Sequence, residues 1–214
     1  MSLLDLVLPP ACASCGRAGA VLCEGCVSSL DPPDPGAFVV ADAGVVLGEA
    51  LSLAVGAFAY EGAVRRALGR LKYGGAARVA GPLAAAAHPA FDRLLRISGP
   101  ASVVPVPVHP DRRRQRGYNQ AELIAARLAA DAGLPLTDAL ERGHATERQH
   151  RLDRAARLRN LRDAIAARPG ATAPTVAIVV DDILTTSATL EACASALRAA
   201  GTTGVYGFTI AREV

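Results

Sequence analysis

The chain has 214 residues, 51% of them hydrophobic and 20% charged, with a formal net charge of +3. That length buries a sizeable core, and the balance suits a soluble globular fold and excludes a disordered or fibrous one. Aromatic residues make up 4% and Trp is absent, so composition offers no row of stacking rings of the kind single-strand binders use.

No stretch reaches the roughly 18 uninterrupted apolar residues that a membrane span needs. The N-terminus has no basic flank, and Asp5 breaks its apolar run, so it does not read as a signal peptide. A cytoplasmic location is therefore expected, where paired cysteines more often bind metal than form disulfides.

In chain order, the first feature is Cys12, Cys15, Cys23 and Cys26, spaced C-x2-C-x7-C-x2-C. Two C-x2-C corners supply four thiolates in the pattern of a closed, structural Zn²⁺ site. Gly16 and Gly25 permit tight turns there. The apolar sequence around them is too sparse for a core, so metal binding would supply the folding energy of a small zinc-ribbon-like module. A redox role is the alternative, but a redox C-x2-C normally opens a helix. The Pro-rich run Asp31–Gly36 reads as a linker. The predicted division is residues 1–36 for the zinc module and 37–214 for a second domain, with residues 37–48 as loop.

Leu51–Tyr60 then reads as a strand and Gly62–Leu71 as a helix ending in Lys72-Tyr73-Gly74-Gly75. The Ala-rich run Val79–Arg96, with Pro82 in its first turn, predicts a second helix. Ala101–Val108 reads as a buried strand whose two late prolines fit a strand end. The following loop, His109–Gly117, carries Arg112, Arg113, Arg114 and Arg116, and leads into a helix from Tyr118 to Ala132. Ligands of open α/β sheets bind beyond the C-terminal strand ends, so these guanidiniums suit a diphosphate; a solvated charge run is the plainer reading. Residues 142–162 hold seven Arg against Glu147 and Asp153. So basic a segment repels itself unless an anion is present, which predicts that it is mobile until one binds. Nucleic acid is the rival partner for it. His88, His109, His144 and His150 receive no role.

The chain is organised around Val176–Leu190, Val-Ala-Ile-Val-Val-Asp-Asp-Ile-Leu-Thr-Thr-Ser-Ala-Thr-Leu. A continuous apolar run suits a strand buried on both faces of a parallel sheet, and Asp181 and Asp182 are expected to end it. Thr185, Thr186, Ser187, Ala188 and Thr189 form a small, hydroxyl-rich turn into a helix that stops near Gly201. Unpaired amides and the dipole at such a helix entry attract an anion. The carboxylates would repel a phosphate and so face ribose hydroxyls or hydrated Mg²⁺. Phosphate at one end and diol at the other describes a ribose 5-phosphate. The plainer reading is a capped helix after a strand end. Cys193, on the helix's apolar face, reads as core, and Thr203–Ala211 gives a final strand. Alternating strands and helices predict an α/β fold with a mainly parallel sheet.

The run 176–190 resembles the phosphoribosyl pyrophosphate (PRPP) signature of type I phosphoribosyltransferases, with Ser187 where that signature usually has Gly. Val104-Pro-Val-Pro-Val-His109, Arg116-Gly-Tyr-Asn-Gln120, Lys72-Tyr-x-Gly and Asp-Asp-x-x-Thr-Thr together resemble the ComF family. A further family pattern falls on Arg142, Thr146, Gln149, Arg157 and Asn160. The family usually has Phe at the position of Tyr118. The resemblance implies a cysteine-rich zinc module joined to a phosphoribosyltransferase-like domain. It implies PRPP with Mg²⁺ at Asp181, Asp182 and the 185–189 turn, and diphosphate contacts from Arg116 and Lys72, with Arg142 and Arg148 on the loop. Phosphoribosyl transfer to an unknown acceptor follows as the expected activity. The resemblance equally implies a non-catalytic protein that handles single-stranded DNA during competence.

Overall fold

The structure, a computed structural model, describes residues 9–30, 49–143 and 165–213. The predicted Pro-rich linker, the 37–48 loop and Arg148 lie outside the described residues, as do Thr146, Gln149, Arg157, Asn160, His144 and His150. The elements in order are α1 (Glu24–Ser28), β1 (Leu53–Ala59), α2 (Gly62–Tyr73), a 3₁₀ turn (Ala77–Val79) and α3 (Ala80–Ser98). Then come β2 (Ser102–Pro105), α4 (Pro110–Arg116), α5 (Gln120–Ala132), β3 (Leu140–Arg142) and β4 (Ile165–Ala167). The chain closes with β5 (Val176–Leu184), α6 (Ala188–Ala199) and β6 (Gly204–Arg212).

Strands β1, β6, β5 and β2, in that order, form one sheet, and every pairing in it is parallel. Parallel pairing requires crossovers, and the helices between these strands supply them on both faces. Side chains of a strand alternate between faces, and β5 shows the result. Ile178 and Val180 join a cluster with Phe91 of α3 and Leu128 of α5, while Ala177 and Val179 join another with Leu190 and Leu197 of α6. Phe91 meets Phe208 of β6 edge-on, with centroids 5.1 Å apart. The short antiparallel hairpin β3–β4 adds Leu140 and Ile165 to the α6 side.

The mainly parallel α/β fold is as expected from the sequence, with three local differences. Arg142, expected on the basic loop, ends strand β3 and pairs with Ile165. β5 does not end at the carboxylates: its ladder with β6 continues to Leu184↔Arg212. The arginine-rich stretch after β2 is not a loop but the helix α4. Pro110 takes the first turn, where its missing N–H costs nothing, the His109 ring accepts from Asp111 N, and Gly117 closes the end at φ +82.

Cys12, Leu22, Cys26 and Leu30 of the N-terminal module belong to the same hydrophobic cluster as α2 and α3. Arg66 of α2 donates to Ser14 Oγ at 3.2 Å. The cysteine module therefore rests on the sheet domain's helical layer.

Candidate functional site

The four sulfurs of Cys12, Cys15, Cys23 and Cys26 lie within 4.8 Å of one another, and none of the cysteines is bridged. Cys15 and Cys23 Sγ are 3.7 Å apart. A tetrahedral zinc thiolate site, with Zn–S near 2.3 Å, spaces its sulfurs by about 3.8 Å. Local turns set this spacing. Gly16 N donates to Cys12 O with Gly16 at φ +79, and Cys23 caps α1, which carries Cys26. Gly25 lies inside α1, so it serves no turn.

The thiols differ in acidity. Burial raises the Cys12 thiol, but bonds from the Cys15, Cys23 and Ser14 backbone outweigh it and lower it to about 6. Ser14 lowers Cys26, but burial and the three neighbouring sulfurs raise it to about 11. Thiols crowded in this way compete for negative charge, and a dication removes the competition. The cluster fits a zinc ion.

The second site lies at the C-terminal ends of the parallel strands, where a cavity of about 420 Å³ opens. Its floor is the tip of β5. Asp181 and Asp182 leave on opposite faces, continuing the alternation of residues 177–180, which is lost just beyond them: Ile183 packs with the α2–α3 cluster and Leu184 with the α6 cluster. Asp182 is 3% exposed and its Oδ2 lies 3.0 Å from Lys72 Nζ, at the end of α2. Asp181 lies on the α6 side, within electrostatic reach of Arg142 and Cys193. Both still line the cavity. Burial, with the charge of Asp182 second, raises the Asp181 carboxyl to about 8, against the pull of its bond to the Asp182 backbone and of Lys72.

The hydroxyl-rich turn follows. Thr185 and Thr189 reach the cavity, and Thr186 and Ser187 line a small adjoining recess. Ser187 is buried at the N-cap of α6, with φ −6, outside the left-handed region. The acid in the first turn of α6, Glu191, points away from the cavity and accepts from Ala50 N and Leu51 N at 2.9 and 3.1 Å. The helix entry is thereby left without a carboxylate of its own.

The Arg-Gly-Tyr-Asn-Gln run holds the opposite wall. Asn119 caps α5 through Ala121 N and donates Nδ2 to Val106 O, fixing the chain as it leaves β2. Tyr118 donates its hydroxyl to Leu71 O at 2.6 Å and so ties the end of α2, with Lys72 and Tyr73, to the start of α5. Gln120 Oε1 accepts from Arg116 Nη1 at 3.0 Å.

The cavity thus gathers Lys72, Arg116, Arg142, Asp181, Asp182, Thr185 and Thr189 from the sequence-predicted set. It adds Arg112, Tyr60 and Tyr73, to which the sequence reading gave no individual role. Arg142, at the end of β3, is half-buried; burial, and then the like charge of Arg112, lower its pKa. Arg142 thus stands between the like charge of Arg112 and the carboxylate of Asp181. The signal for Arg112 was the α4 capping pattern, which places one arginine per turn toward the strand ends. Cys193 is fully buried and its thiol is raised, first by burial, so it is a core residue as expected. His88 pairs with Asp92 on α3, away from both sites.

A four-cysteine module resting on a parallel α/β domain, with a charged cavity at the strand ends, is the class of protein these features define. The chain is similar to Competence protein F of Haemophilus influenzae (strain ATCC 51907 / DSM 11121 / KW20 / Rd), with 31% identity over 116 residues. That match covers 53% of this chain and 51% of the relative, so it spans about half of each. It bears out the resemblance to the ComF family read from the motifs. No protein-family model matches the chain. Among the described residues, no helix is long and apolar enough to cross a membrane.

Proposed function

We propose that the strand-end cavity binds PRPP or a closely related ribose 5-phosphate and that the protein is a phosphoribosyltransferase. The observation that supports this best is the cavity's lining, which brings Thr185 and Thr189 of the helix entry, the carboxylates of Asp181 and Asp182 and the guanidiniums of Arg112, Arg116 and Arg142 into one space. The 5-phosphate takes the amides and hydroxyls of the 185–189 turn, where anion and helix dipole agree. The ribose hydroxyls meet Asp181 and Asp182. Arg112 and Arg142 take the diphosphate, since Lys72 is engaged by Asp182 and Arg116 by Gln120. Mg²⁺ accompanies the diphosphate as its counter-ion and favours ionised Asp181. In the transfer the C1–O bond breaks and the diphosphate leaves with the electron pair. An acceptor nitrogen bonds to C1 and gives up its proton to water. In the N-terminal module, zinc on Cys12, Cys15, Cys23 and Cys26 is structural.

Calorimetric titration of the zinc-loaded chain with PRPP and Mg²⁺ tests this. Saturable micromolar binding is expected, and Asp181→Asn combined with Asp182→Asn should weaken it at least tenfold. Equal affinity in that double variant would end the reading.

The name of the relative, Competence protein F, supports a second reading, in which the chain serves competence by holding single-stranded DNA. Exposed Arg65, Arg66 and Arg70 on α2 offer phosphate contacts for it. This reading requires oligonucleotide affinity that falls steeply with salt.

A further inference from the structure

Behind the main cavity, between the end of α2 and α4, lies a second one of about 270 Å³, lined by Lys72, Tyr73, Gly75, Gln115, Arg116 and Tyr118. Lys72, Tyr73 and Arg116 line both. The two spaces are therefore compartments of one cleft, divided by those three side chains.

The second compartment has a specific chemistry. Tyr73 is 82% exposed, although it ends a helix whose apolar residues are otherwise buried. The Arg116 guanidinium lies 5.5 Å from its ring centroid, and Gln120 holds that guanidinium in place. Tyr118, through Leu71 O, anchors the turn that carries Tyr73. The result is a fixed ring-and-guanidinium shelf, a surface on which planar rings stack. None of the six lining residues is acidic. Lys72 has Asp182 for a partner, whereas Arg116 has an amide oxygen and a ring, so its charge is unmatched by any carboxylate among the described residues. Pockets for drug-sized ligands begin near about 300 Å³, so this compartment fits one or two fused rings.

Position adds a further constraint. Lys72 meets the face of β5 that carries Asp182, whereas Arg142, with Arg112 beside it, meets the face that carries Asp181. The Arg142 side of the proposed diphosphate site and the shelf therefore stand on opposite sides of the strand tip, with Arg112 and Arg116 one turn apart on α4 between them. Displacement at C1 requires that arrangement of its leaving group and its nucleophile.

We infer that the Tyr73–Arg116 compartment is the acceptor site, and that the acceptor is a small planar heterocycle carrying a negative charge, such as a ring carboxylate. The inference rests on the proposed function and names its second substrate class. The ring stacks on Tyr73, and its anionic substituent meets Arg116.

Orotate, an anionic pyrimidine, and uracil, its analogue without the carboxylate, are the probes. Each is titrated into the full zinc-loaded chain and followed by ligand-detected NMR and calorimetry. The expected result is orotate binding at least tenfold tighter than uracil. Tyr73→Ala should raise the orotate Kd at least tenfold, whereas Tyr73→Phe should leave it within about threefold, because stacking needs the ring and not the hydroxyl. Arg116→Gln should erase the preference for orotate over uracil. Equal binding of the two probes, or unchanged orotate binding in Tyr73→Ala, overturns the inference. So does binding confined to a thymidine oligonucleotide and lost in Tyr73→Ala, which would give the shelf to a polynucleotide. Ribose 5-phosphate, titrated alone, reports on the first reading separately. If it fails to bind while orotate binds through Tyr73, the proposed function falls and the ring site stands.

Discussion

In the cysteine module four sulfurs crowd within 4.8 Å, and among its described residues a five-residue helix is the only helix. At the strand ends, two carboxylates and their cationic partners stand on a sheet whose interior residues are almost fully buried. The first cluster gathers groups that repel one another once ionised, and backbone turns alone do not offset that repulsion. The second is held by hydrophobic layers on both sides, so its charges are pinned whether or not a ligand is present. One site is suited to be organised by a metal ion, the other is organised by what lies beneath it.

Removing the metal attacks that contrast hardest. Structural zinc carries apparent binding energies of about 10–16 kcal/mol in small modules. Chelation, or Cys23→Ser, is expected to abolish stoichiometric zinc and strip amide protection from residues 9–30, with the β5–β6 core still protected in hydrogen exchange. Simultaneous loss of both regions would mean that the docked residues Leu22 and Leu30 make the two sites one cooperative unit.

Lys72→Met tests the other half. It leaves the buried Asp182 carboxylate without its cation, and breaking such a pair costs about 3–5 kcal/mol. Urea unfolding should show a loss of that order, and adding Asp182→Asn should recover most of it. A loss below about 1 kcal/mol would show that the hydrophobic layers do not hold this charge apart from solvent.

Asp181→Asn is the mildest change, and its effect depends on pH. The Asp181 carboxyl is raised to about 8 in the folded chain, against about 3.9 in an unfolded one. Between those values the folded state holds a proton that the unfolded state has released, so this group's contribution is full below about pH 4 and is lost as pH rises through 8. The Asn variant should therefore melt progressively higher than wild type as pH rises from 5 to 9. Parallel melting curves at all pH values would place Asp181 in contact with water. The same linkage predicts proton release when Mg²⁺ and PRPP bind at pH 7.

Much of this was legible in the residues. The apolar run 176–180 marked the central strand, and Gly201 marked a helix end. The cysteine spacing named its own ligands. What stayed hidden followed from competing signals. Asp is rare in strands, so the carboxylates looked like a strand end, yet the ladder with β6 outweighs that preference up to Leu184. Four arginines made 109–117 read as loop, although Pro110 and Gly117 are helix punctuation. Tyr118 in place of the family's Phe received no role, because its partner, Leu71 O, is 47 residues away. Arg112 and Tyr73 came into view only when the fold brought α4, β3 and the end of α2 to one rim.

The alternation of β5 gives the doublet Asp181–Asp182 a parity. Position 181 is odd and serves the α6 layer; position 182 is even and serves the α2 layer. A single carboxylate would address one layer, and two separated by one residue would both address the same layer. Adjacent acids are the shortest spelling that speaks to both. Inserting or deleting one residue between Val176 and Val180 would shift the frame and leave one layer facing Val180 or Ile183 in place of an acid. The tip of this strand is a two-letter word whose meaning depends on where counting begins.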